Sequence, residues 1–182
     1  MFAWLGDFNW KVFNLNNTDA GVNASETAPT SSLFYANGNG NAANTQIAYL
    51  WHDVPGVQKF GQYVATNNAD GPFIELGFKP ALICIKSATT SGTARNWALV
   101  DSTRSYANVA NHTLAWNLNN PESDYGGGES VFGASNKIDL LSNGFKIRDN
   151  GNWCNESGAE YIYMAWAESP FHNLYGGSAT AR

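Results

Sequence analysis

The residues able to do chemistry in this 182-residue chain are few and dispersed. His52, His112 and His172 stand alone, with no His-x-His, no HExxH and no neighbouring cysteine, so no metal ligand set is assigned. Cys84 and Cys154 form no CxxC pair. Cys84 lies in the apolar run Leu82-Ile83-Cys84-Ile85 and reads as a buried strand residue, while pairing of the two thiols stays open. Gly133-Ala134-Ser135-Asn136-Lys137 fails the GxSxG elbow of a serine hydrolase, and Gly126-Gly127-Gly128-Glu129 lacks the Lys-Ser/Thr end of a phosphate loop. Glu122, Asp124 and Glu129 bring three carboxyls into one stretch, and glycoside hydrolysis requires only two at the right separation. That stretch is rich in Asn, Ser and Gly, whereas a working acid is buried to raise its pKa, so an exposed solvated loop is the expected outcome. Asp149-Asn150-Gly151-Asn152 with Glu156 offers oxygens but misses the EF-hand spacing, and an Asx-type turn is expected there. No catalytic residue and no cofactor is assigned, and the chain is not expected to be an enzyme.

Recognition is better supplied than catalysis. The segment from Ser105 to Tyr125 mixes aromatics with amides, a composition suited to stacking on sugar faces and hydrogen-bonding their hydroxyls. Tyr106, His112, Trp116 and Tyr125 are the candidate ligand-binding residues. Leu114, Trp116 and Leu118 also alternate as a strand does, so a buried strand is the expected fate of Trp116, which would take it out of a ligand's reach.

The elements that must position these residues are short strands. Hydrophobic residues make up 43% of the chain and charged ones only 14%, so uncharged Asn, Ser, Thr and 18 Gly supply the polarity beside 7 Trp, 8 Tyr and 10 Phe. Aromatics fit pleated half-buried surfaces and Asn and Gly fit turns, which disfavours a helical bundle. Strands are expected at 10–15, 32–35, 45–51, 61–65, 73–75, 81–87, 97–101, 137–141, 145–148 and 160–166. Asp70-Gly71-Pro72, Asn143-Gly144 and Asn150-Gly151 read as turn dipeptides with positive φ, and Leu141-Ser142-Asn143-Gly144-Phe145 as a tight hairpin. Pro80, which has no N–H to give, is expected to open its strand, and Asp101 with Arg104 to pair across a turn. The run 160–166 is apolar on both faces and belongs mid-sheet. The fold class that follows is all-β, an antiparallel β-sandwich or jelly-roll-like architecture.

An internal echo divides the chain. Asn9-Trp10-Lys11-Val12-Phe13 resembles Asn96-Trp97-Ala98-Leu99-Val100, and 45–51 resembles 160–166 in the same order, the second copy being longer by about 28 residues, mostly within 105–134. Residues 1–56 then read as the second half of a first β repeat and 57–182 as a complete sandwich repeat. A half sandwich cannot bury its own strand faces, so the N-terminal half-repeat is expected to pack on the complete unit or on a neighbouring chain.

Several spaced blocks carry a family resemblance. Phe60-Gly61-Gln62-Tyr63, Asp70-Gly71-Pro72-Phe73, Gly77-Phe78-Lys79-Pro80-Ala81, Asn96-Trp97-Ala98-Leu99-Val100-Asp101, and Leu141 to Lys146 followed by Tyr161 to Phe171 resemble a repeated domain of unknown function in tail-fibre and related virion proteins of tailed bacteriophages. The likeness runs from about Lys59 to Phe171 and more loosely over the preceding half-repeat. It departs at Val64-Ala65-Thr66-Asn67, where members usually carry glycines after the tyrosine. The resemblance implies a non-enzymatic virion component, in a tail fibre or tail and less readily on the capsid surface, and supplies no functional residues of its own. The resemblance implies no known ligand; together with the composition of 105–125 the expected partners are copies of the chain, as a homotrimer on a fibre, other virion proteins, and host surface carbohydrate in an adhesion role. A capsid or tail structural protein without receptor role and a glycan-degrading tail enzyme are the alternatives.

Charge narrows the partners. The net charge of −5, the sequence pI near 5.0 and ten scattered Lys and Arg give no basic run to neutralise phosphates, so no nucleic acid is expected. The N-terminus has no basic segment and no long apolar stretch, so neither a signal peptide nor a membrane span is expected.

Overall fold

The computed structural model describes residues 2–4, 10–13, 20–22, 30, 32–33, 51–88, 96–105, 107–119, 122, 138–151 and 153–169. Among them are eleven strands and no helix: β1 (Phe2–Trp4), β2 (Trp10–Phe13), β3 (Ala20–Val22), β4 (Gln58–Val64), β5 (Phe73–Glu75), β6 (Pro80–Ser87), β7 (Ala98–Asp101), β8 (Thr113–Ala115), β9 (Ile138–Leu141), β10 (Gly144–Ile147) and β11 (Glu160–Ala167). They form three antiparallel sheets, β1-β2-β3, β5-β10-β9 and β4-β11-β6-β7-β8. The protein is all-β, and the last two sheets pack as a sandwich.

Register explains the layering. Across the five-stranded sheet, Gly61, Tyr163, Ile85, Ala98 and Ala115 are direct cross-strand neighbours on one face. Ile74, Phe145 and Leu140 form the matching row of the smaller sheet. Side chains alternate along a strand, so these two faces meet and enclose the main core. Phe145 is wholly buried there, with its ring edge-on to Tyr163 at 5.6 Å and to Tyr63 at 6.5 Å, while Tyr63 stacks on Tyr161 at 5.4 Å. Each such ring pair adds about 1 kcal/mol to area burial. The Tyr63 hydroxyl donates to the Cys154 carbonyl at 2.7 Å, so the buried phenol is satisfied.

β11 lies between β4 and β6, as its two apolar faces require. Tyr161, Tyr163 and Ala165 enter the main core, whereas Ile162 and Met164 join Cys84, Trp97 and Ala88 in a second cluster on the other face. Cys84 and Cys154 therefore sit on opposite sides of the sheet and both remain free thiols.

Turn chemistry holds the ends. β6 opens at Pro80, and the Asp101 carboxylate pairs with Arg104 while its Oδ1 accepts from the Thr103 and Arg104 amides at 3.0 and 2.8 Å. Asp149 forms an Asx-type turn, Oδ1 accepting from the Gly151 amide at 2.8 Å and Oδ2 from the Trp153 indole. Buried Asn155 takes the Thr66 amide at 2.8 Å and donates to the carbonyls of Asn68 and Asp149, tying this turn to the end of β4.

Some expectations change. Gly71, Gly144 and Gly151 do not have positive φ; Gly56, Gly77, Gly158 and Asn67 do. Gly144 is required by close approach instead, since a Cβ there would fall 2.1 Å from the Ile74 carbonyl oxygen. Ser32 and Leu33 lie in a turn whose amides donate to the Thr30 hydroxyl, not in a strand, and the remaining residues of 32–35 lie outside the described ones. Residues 45–50 also lie outside them, and Trp51 is not in a strand. Residues 10–13 of one member of the first echo and 98–100 of the other fall on the central strand of an antiparallel run of three, β1-β2-β3 and β6-β7-β8.

Candidate functional site

The outer face of the five-stranded sheet carries an apolar row through Phe60, Met164, Cys84, Leu99 and Leu114, one residue from each strand in turn. Trp166 and Leu82 are neighbours in the adjoining row. Toward β8 this face opens into a recess of about 380 Å³, lined by Leu82, Leu99, Leu114, Leu118, Trp116 and Trp166.

The turn after β8 is fixed by backbone and amide hydrogen bonds. The Trp116 amide donates to the Trp97 carbonyl at 2.9 Å and the Leu118 amide to the Ala115 carbonyl at 3.2 Å. Asn117 Oδ1 accepts from the Trp97 amide at 2.9 Å, and its Nδ2 donates to Asn96 Oδ1 at 2.7 Å. The Trp116 ring leans on the buried Trp97 ring, with centroids 5.9 Å apart and planes at 55°. The result is a held platform that leaves Trp116 48% and Leu118 41% exposed. Trp116 therefore does not lie in a buried strand: β8 stops at Ala115, because the chain turns there to let Leu118 cap the Ala115 carbonyl.

His112 sits at the other end of β8, its amide donating to Ser105 Oγ at 3.2 Å and its Nδ1 bonded to Glu122 Oε1. The two described candidates, His112 and Trp116, thus flank one three-residue strand. Tyr106 and Tyr125 lie outside the described residues, as do Asp124 and Glu129. Leu82, Leu99 and Trp166 were not among the candidates, and only the register of β11, β6, β7 and β8 brings them to Trp116.

None of the described residues lining the recess is titratable. Among the described residues no group of three His, Cys, Asp or Glu is arranged to hold a metal ion. What the recess offers is exclusion of water from an inserted apolar group, about 1.5–3 kcal/mol for each large side chain buried.

Comparison with known families decides the grouping. The family described as "Domain of unknown function (DUF7483)" matches residues 5–170. The chain belongs to this family. The DUF7483 match spans β2 to β11 and so contains the recess and both ends of β8. Comparison with curated proteins and with solved structures gives no significant match.

Proposed function

We propose that this DUF7483 protein is a structural component of a tailed-phage virion, in a tail fibre or tail-associated assembly, whose recess beside β8 receives an apolar group from a neighbouring virion protein. The observation that carries the contact is the lining itself: four leucines, an alanine and two tryptophans, Trp116 on a hydrogen-bonded turn and Trp166 on β11, with no charged group among the described lining residues. Interface centres are depleted of charge and enriched in aromatics in this way. The virion placement rests on the sequence blocks from Lys59 to Phe171. On a fibre the chain would contact further copies of itself, and no reaction is assigned to it.

A second reading is favoured by one feature. The half-exposed Trp116 ring, with the His112–Glu122 pair at the far end of β8, suits a host surface glycan stacked on the ring. Such single sites are weak and become effective when several copies are displayed together.

A cryo-EM map of the virion, with Trp116→Ala phage compared for assembly and for host adsorption, tests both. The recess seated on a neighbouring protein, with reduced incorporation of the variant, supports the assembly contact. A recess facing outward, with normal incorporation and lost adsorption, supports the glycan contact. Absence of the chain from purified virions refutes both.

A further inference from the structure

The two lateral sides of the sandwich are finished differently. On one side the sheets are joined: Ala110 and Ile138 exchange backbone hydrogen bonds of 2.8 and 3.1 Å. The Asn108 side-chain amide there pairs with both backbone groups of Leu140, at 3.0 and 2.9 Å, as a neighbouring strand would. On the other side β4 is, among the described strands, the edge of the five-stranded sheet.

Ala65 donates to the Ala159 carbonyl and Ala167 to the Val57 carbonyl, which sets the phase of the ladder between β4 and β11. Odd-numbered residues of β4 face β11, and even-numbered ones turn their backbone groups outward. Most of that outward edge is occupied. Val54 exchanges hydrogen bonds of 3.0 Å with Gln58, Asp53 Oδ1 accepts from the Phe60 amide at 2.9 Å, and beyond the strand Asn155 Oδ1 accepts from the Thr66 amide at 2.8 Å. Between these caps, the outward N–H and C=O groups of Gln62 and Val64 have no hydrogen-bond partner among the described residues, and Val64 is 60% exposed. Natural edges carry Lys, Pro or a bulge against pairing; this window has none of them.

We propose that the window at Gln62 and Val64 is a docking edge for a second copy of the chain, β4 pairing antiparallel with β4 about a two-fold axis so that Gln62 lies opposite the partner's Val64. In that register the two open residues of each copy satisfy one another fully, two donors and two acceptors from each side. The caps at Phe60 and Thr66 mark where the pairing must stop, so a long strand from another protein gains nothing over this short self-complementary match. Residues 60–69 carry no charge, and the Asp53 carboxylate at one end of the window is engaged by the Phe60 amide and lies opposite the partner's Thr66 end rather than the partner's Asp53, so two copies of a chain with net charge −5 meet here without carboxylates facing one another. The contact does not depend on where the protein works.

Sedimentation velocity of the full chain over a wide concentration range tests the pairing, on the parent, Val64→Lys and Gln62→Pro. The parent is expected to dimerise. Val64→Lys places a cation on an already exposed position and is expected to weaken the dimer at least tenfold with an unchanged far-UV spectrum. Gln62→Pro removes an outward N–H, which an edge strand tolerates, and is expected to do the same. A parent that stays monomeric throughout overturns the proposal, as does a dimer or trimer whose dissociation neither variant changes. Because Val64→Lys leaves the core untouched, its result stands even if Gln62→Pro fails to fold.

Discussion

A single added methyl group tests how tightly β5 and β10 approach. The Cβ of an alanine at 144 would fall 2.1 Å from the Ile74 carbonyl oxygen and 3.2 Å from the Glu75 Cα, both backbone atoms that cannot swing aside. Gly144→Ala is expected to cost about 3 kcal/mol or more, read as a lower urea midpoint at unchanged m value. Gly77 is the control: its φ is +80° and nothing lies within 4 Å of the position a Cβ would take. Gly77→Ala is expected to cost only about 1–2 kcal/mol, from left-handed backbone alone. Equal losses at the two positions would refute this division. The sequence marks both residues as glycines near turns and cannot separate the two reasons, because the Ile74 carbonyl reaches Gly144 only through strand pairing. The same limit applies to the recess. Composition points to Trp116 and His112, but Leu82, Leu99 and Trp166 become their neighbours only through the register of four strands.

Strands fail or hold at their edges. β9 is a sheet edge, and its Leu140 amide and carbonyl are covered by the Asn108 side chain, an amide standing in for a peptide group. Asn108→Ala removes both hydrogen bonds and is expected to cost about 1–2 kcal/mol, since Asn108 itself is exposed and water replaces part of what is lost. Hydrogen exchange locates the effect: the Leu140 amide should lose protection while the Phe145 amide across the ladder keeps it. Unchanged exchange at Leu140 would show that Ala110 alone secures this edge. Legibility at this scale follows strand length. β6 and β11, eight residues each, carry enough β-branched, aromatic and alternating positions to be read from the chain, and β5 is read with its ends as observed. β1, β3 and β8 have three residues each, too few for any alternation to register. β8 was visible only as the series Leu114, Trp116, Leu118, and the cap on Ala115 ends the strand before that series is complete.

Taken over the whole molecule, the ionisable groups of the core make it sensitive to alkali. Burial, with the Asp53 charge as a smaller contributor, pushes the Tyr163 phenol up to about 12. Burial also holds the phenol of Tyr63 and the thiols of Cys84 and Cys154 above their ordinary ranges, and the Asp149 carboxylate adds to this at Tyr63 and Cys154. The sign follows from linkage. Each group keeps its proton in the folded protein at a pH where the unfolded chain has lost it, so the folded state binds more protons and its stability falls as pH rises. For Tyr163 the contribution is complete below the unfolded tyrosine value near 10 and is lost as pH rises through about 12. Tyr63, Tyr163 and Phe145 form one ring cluster between the two sheets, so ionising either phenol places a charge where the sheets meet. The expected behaviour is therefore cooperative: absorbance of tyrosinate at 295 nm from these residues should appear together with loss of the far-UV β signal, between about pH 10 and 12. Tyr63→Phe removes one of these protons along with its hydrogen bond to the Cys154 carbonyl, and should lower stability at neutral pH while flattening the alkaline slope. A graded tyrosine titration centred near pH 10 with the β signal intact would mean that water reaches these phenols, and that the two sheets are not closed on one another as the ring contacts require.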